Sequence, residues 1–187
     1  GKLTSDGGAL LLRETDRSLG LIDALNGCIP DPRHPFFVVH SQRTLLAQRV
    51  LGIAQGYEDL NDHQGLREDP LFQVLCERGI QEDLPLASPP TLCRLENRVD
   101  RKTLAKMAQV FVEVFIRSHS TAPEELILDF DPTHDPVHGN QEHRFFHGYY
   151  DQYCFLPLYV FCGSQLLVAY LRPATIDGAL HSRAILK

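Results

Sequence analysis

With 187 residues, 43% of them hydrophobic and 22% charged, the chain is long enough to bury a core without staples, and no apolar run reaches the roughly 18 to 20 residues of a membrane helix. Its five cysteines (Cys28, Cys76, Cys93, Cys154, Cys162) are odd in number and form no C-x-x-C pair, which argues against a disulfide framework or zinc ribbon and for reduced thiols in a cytoplasmic protein. The formal net charge of -6 argues only mildly against nucleic acid, because it is unevenly spread: Tyr57 to Asp83 is acidic, whereas Thr91 to Ser118 is basic.

Residues 1 to about 120 read as helical. Ser5 or Asp6 is placed to cap a first helix whose apolar positions Leu10, Leu11, Leu21, Ile22 and Leu25 share a stripe interrupted at Gly20. That helix must stop before Cys28-Ile29-Pro30-Asp31-Pro32, since proline removes a donor and constrains its predecessor. A second helix is expected from about Ser41 to Gln55, with Gly56 as its stop. A third runs from Pro70 to Arg78, with proline in its first turn and Gly79 behind it. Ser88 precedes a short helix through Leu92, Leu95 and Val99. Asp100 is positioned to cap the last, Thr103 to Arg117, whose apolar residues recur at three- and four-residue steps.

Near Thr121-Ala122-Pro123 the period changes. Leu126 to Phe130 is a short apolar run ended by Pro132, which predicts a buried strand. Tyr153 to Cys162 predicts a second strand, Gly163-Ser164 a two-residue turn, and Gln165 to Leu171 the returning strand. The expected organisation is a helical region over residues 1–120 and a β-containing region over 121–187.

The most informative segment is Leu128-Asp129-Phe130-Asp131-Pro132-Thr133. Residues two apart on a strand share a face, so Asp129, Asp131 and Thr133 align. Paired carboxylates at the end of a buried strand need compensation, and a divalent cation provides it. Two-metal phosphoryl transfer uses such carboxylates to hold ions about 4 Å apart. The plainer reading is that these aspartates cap a loop or pair with arginines.

Several blocks together carry a family resemblance. They are Leu3 through Glu14, Gly56-Tyr57-Glu58-Asp59-Leu60-Asn61-Asp62-His63, Leu66-Arg67-Glu68-Asp69-Pro70, Thr91 through Asn97, Leu128 through Asn140, and Arg144 through Pro173. On these the chain resembles a bacterial insertion-sequence transposase of the DDE superfamily, in the branch called DDE domain group 1. The resemblance implies an α+β fold, in which a helical N-terminal region precedes the first three strands of a ribonuclease-H-like core. It also implies Asp131, in the D-x-[ST] position, as the first catalytic aspartate and a metal ligand, with Asp129 as the alternative ligand. Mg²⁺ or Mn²⁺ is the implied cofactor of the complete enzyme. DNA is the implied partner, both element terminal repeats and target, for a homo-oligomeric, nucleoid-associated protein without a membrane. The second aspartate and the glutamate of the triad have no counterpart in these 187 residues, so the chain reads as a truncated transposase, inactive alone. The competing reading is a non-catalytic DNA-binding or dimerising module derived from one.

Two further groups have simpler alternatives. Arg94, Arg98 and Lys102, with Lys106, are spaced four apart and would line a helix face toward DNA phosphates, but Asp100 threatens to break that face and a solvated surface is equally good. His134 with His138, and His143 with His147, have zinc-pair spacing on a helix, which Pro132, Pro136 and Gly139 oppose. The acidic block around Glu58, Asp59, Asp62, Glu68 and Asp69 has capping or internal pairing as its default role.

Overall fold

The computed structural model describes Thr4, residues 6–78 and residues 84–186. The chain divides into two compact units, Gly1–Val110 and Phe111–Lys187.

The first unit is helical. Helices α1 (Ala9–Leu19) and α2 (Leu21–Cys28) are split at Gly20, whose φ of 67° is left-handed. Such a residue ends one helix and starts the next at little cost only when it is glycine. Among the described residues α1 has Gly8 at its N-cap and no side-chain cap bond. The main-chain oxygen of Asp6 takes the Ala9 N–H at 2.8 Å, while its carboxylate accepts from the Tyr57 hydroxyl at 2.9 Å. Ser5 lies outside the described residues, as does Gly79.

Helix α3 (Gln42–Ala54) starts where Ser41 Oγ accepts from Thr44 N–H. Two short helices follow, α4 (His63–Leu66) and α5 (Pro70–Leu75). Then come α6 (Pro89–Glu96) and α7 (Arg101–Arg117). Asp100 Oδ1 accepts from Thr103 N–H at 2.8 Å, as expected of the cap for the last helix. The core of this unit collects Ile22, Leu25, Leu45, Leu51, Phe72, Leu75, Leu92 and Leu95, all buried. These are the inward stripes of α2, α3, α5 and α6, and apolar burial of this kind drives the packing.

A polar seam crosses that core. Gln48 is fully buried and its amide works as a strand edge would: Nε2 donates to Ala87 O at 2.9 Å and Oε1 accepts from Ala87 N–H at 3.0 Å. His63, equally buried, lies with Nδ1 3.4 Å from Gln48 Nε2. A Cβ at residue 52 would stand 2.7 Å from His63 Cε1, so α3 admits this imidazole only because Gly52 has no side chain. The acidic block before α5 caps helices, in line with its default role: Asp59 accepts from Asn61 N–H, and Asp69 accepts from Leu71 and Phe72 N–H at 2.7 and 3.1 Å.

The second unit holds two small antiparallel sheets. In one, β1 (Leu128–Pro132), β5 (Leu158–Cys162) and β6 (Gln165–Tyr170) lie in the order β1-β5-β6. In the other, β2 (Asp135–Pro136), β3 (Phe145–His147) and β4 (Gln152–Phe155) lie in the order β2-β4-β3. The hairpin β5–β6 turns at Gly163, φ 59°, between the paired Cys162 and Gln165, as its turn sequence predicts. A register shift between Val160 and Phe161 bulges the ladder. A last short helix, α8, covers Ser182–Ile185.

Two expectations are corrected. The strand predicted as one piece over Tyr153–Cys162 is two, β4 and β5, and they enter different sheets. Pro157 separates them, because it has no N–H for a ladder, although its carbonyl still accepts from Thr133 N–H at 3.1 Å. Strand β1 is not buried on both faces: Leu128, Phe130 and Pro132 are half-buried, whereas Asp129 and Asp131 are exposed. An apolar run flanked by a one-sided sheet needs only one covered face.

Candidate functional site

The pairing of β1 with β5 sets the geometry of the acidic segment. Asp129 stands opposite Phe161 and Asp131 opposite Tyr159. Strand alternation puts both aspartates on the same face, with Thr133 exposed beyond them. Among the described residues neither carboxylate has a hydrogen-bond or ion-pair partner. The two are therefore free oxygen donors on a paired strand, the ligand type that hard divalent cations take. They do not complete a site: among the described residues no three His, Cys, Asp or Glu side chains converge as a metal cage would need.

The loop that leaves β6 packs beside β1. A Cβ at Gly178 would lie 3.3 Å from the Pro132 ring, immediately after Asp131. Arg172 holds that loop. It is 1% exposed, yet among the described residues it has no carboxylate partner. Its Nε donates to Leu156 O at 2.9 Å, and its Nη1 donates to Gly178 O and Leu180 O at 3.1 and 2.6 Å. Burial pushes this guanidinium's pKa down, partly offset by Tyr170 and Asp177. Sequence reasoning passed over Arg172, since nothing local marks an arginine as buried.

The histidines lie in the connections before and after β2 and, for His147, at the end of β3, not on a helix, so the helical pairing imagined for zinc is not formed. His143 sits in a turn with φ 63°. His134 instead stacks on Tyr150, ring centroids 4.3 Å apart and planes 12° from parallel, and His147 tilts against the same tyrosine at 4.8 Å. The density of His, Tyr and Phe from His134 to Tyr153 was the available signal for this cluster.

Of the basic residues, Arg94 is exposed on α6 and donates to Thr91 Oγ1 at 3.0 Å. Arg98 is tied to Asp31 at 2.9 Å. Hydrogen bonds from Arg33, together with the Arg98 charge, hold Asp31 well below the usual carboxylate range. Lys102 is exposed in the first turn of α7. Residues 97–100 separate α6 from α7, so these three cations do not share one continuous helix face.

The family model for the transposase DDE domain, group 1, matches residues 1–187, and the chain belongs to that family. No curated protein and no solved structure matches it. Membership brings a transposase-related function, with DNA as the partner and divalent metals as the family's general requirement. No helix among the described residues is long and apolar enough to cross a membrane.

Proposed function

We propose that the chain is part of a DNA transposase that cuts and joins DNA at the ends of an insertion element, with Asp131 as its first catalytic carboxylate. The observation that carries this reading is the pair of unpartnered carboxylates on β1, in a D-x-T segment of a DDE-family chain. The order β1-β5-β6, all antiparallel, supports β1 as the opening strand of a ribonuclease-H-like core, with β5 and β6 as the next two.

In this reading Asp131 holds a divalent cation, Mg²⁺ or Mn²⁺, and Asp129 is the neighbouring ligand or its alternative. The bound metal supplies Lewis-acid stabilisation of the attacked phosphate and of the leaving oxygen. Thr133 and Pro157 fix the strand end, so the Asp131 carboxylate keeps its place as substrate arrives. The cage needs further oxygen ligands, which the reading assigns to carboxylates outside this acidic strand and outside these 187 residues. The chain by itself is then inactive. Arg94 and Lys102 contact DNA phosphates, and Arg98 positions the turn between their helices through Asp31.

The test is metal-dependent nicking of an element end by the enzyme carrying the downstream catalytic segment. Asp131→Ala lowers the rate by more than about 100-fold, since even indirect partners of metal ligands cost 10- to 100-fold. Asp129→Ala has the smaller effect. Retention of full nicking by Asp131→Ala overturns the assignment.

A second reading, a dimerising module derived from a transposase, has one observation in its favour. Phe36 and Phe37, 84% and 78% exposed, stand beside Val39 at 65%. Contiguous exposed apolar residues mark interaction sites.

A further inference from the structure

We infer that the segment between β1 and β4 is a stacking platform for unpaired DNA bases, held close to Asp131. The inference rests on the transposase reading and extends it to a base-binding surface.

Two aromatic groups make the platform. In the first, Tyr150 is pinned between His134, which lies flat against it, and His147. Tyr149 stands perpendicular to Tyr150, at 89° and 4.9 Å, and is 85% exposed. Such a ring leaves nearly its whole face open to another ring. In the second group, Phe146 faces Tyr153 across the β3–β4 ladder, centroids 5.6 Å apart, and the two are 51% and 49% exposed. The Arg144 guanidinium lies 4.6 Å from the Tyr153 ring centre and is steadied by Asn140 Oδ1 at 2.6 Å.

Arg144 decides the kind of ligand. Among the described residues no carboxylate pairs with it. A guanidinium on an aromatic face keeps its charge and its remaining N–H donors, which match a phosphate. Flat rings with an unpaired cation beside them are the complement of a nucleotide: π-face on ring, phosphate on cation. A structural cluster would instead bury these rings, since aromatic area stabilises only when it leaves water.

The chain places the platform near the acidic strand. His134 lies three positions beyond Asp131, a span of at most about 11 Å between Cα atoms. DNA whose phosphate reaches Asp131 therefore has its neighbouring bases within reach of the platform. Paired bases do not offer their faces, so the ligand is a strand that is single or locally opened.

The experiment measures fluorescence anisotropy of a labelled oligo(dT) and of a labelled duplex with the full 187-residue chain. The expected result is binding of the single strand, weakened at least about five-fold by Tyr149→Ala and by Tyr153→Leu, the low end of what loss of one stacked base costs. Duplex binding changes by less than about two-fold in both variants. Circular dichroism checks folding, and Tyr149 serves as the safer variant because its side chain is nearly free of the fold. Equal losses on both DNA forms, or no loss on either, overturn the platform while leaving the transposase reading intact. Binding of neither DNA form by the unaltered chain overturns both.

Discussion

His63 has no exposed surface, and its Nε2 finds no partner among the described residues. Burial, then the Arg49 charge, pushes its pKa below the ordinary 6.5. The native state thus keeps this imidazole neutral while the unfolded chain takes up a proton near pH 6.5. Its contribution to stability is complete above that pH and falls as acid is added below it. His40 is pushed down likewise, by burial and then by Arg78, Arg67 and Arg33, so it acts in the same window and direction. Each histidine costs up to about 1.4 kcal/mol per pH unit there. Urea unfolding is expected to show a lower midpoint at about pH 5.5 than at 7.5, and His63→Gln is expected to flatten that slope. An unchanged slope in the variant would show that His63 is not the titrating group. Residues differ in how far the sequence betrays such roles. The shared face of Asp129 and Asp131 was legible because strand period is fixed at two. The burial of His63 was not, because it depends on a missing side chain at Gly52, eleven residues earlier on another helix.

Helix starts were the most readable elements. Ser41, Asp69 and Asp100 each precede a helix and each accepts from a first-turn N–H, the bond that small polar side chains can reach and longer ones cannot. Asp69 bonds two such groups, so Asp69→Ala is expected to cost about 1 kcal/mol of stability, measurable by chemical denaturation, whereas Asp69→Asn keeps most of it. No loss in the alanine variant would mean that water satisfies those amides as well. Strands were less readable. Tyr153 to Cys162 is uniformly apolar and aromatic, and periodicity cannot tell one long buried strand from two short ones. Pro157 carried the information, since a proline within such a run argues for a break, and the two halves serve two sheets.

At the scale of the molecule, the change from a helical to a strand period was visible in the sequence. The division between the two compact units falls in sequence between Val110 and Phe111, within α7. Helical periodicity runs unbroken through that point, so no sequence signal marks it. The exposed patch at Phe36, Phe37 and Val39 gives the assembly question a direct test. Sedimentation velocity of the whole chain is expected to show self-association that Phe36→Asp abolishes, because a buried carboxylate without a partner is costly. A monomer in both forms would remove the dimerising reading. The open side of β1 bears on assembly as well. Among the described residues β1 has β5 as its one strand neighbour, which leaves a row of main-chain groups facing outward. Such margins invite a second copy to zip on. Here the invitation is withdrawn by like charge: two margins laid head to tail would bring acidic side chains from both copies together. A divalent cation held between such carboxylates would quiet that repulsion and so loosen the strand's guard against sticking to itself.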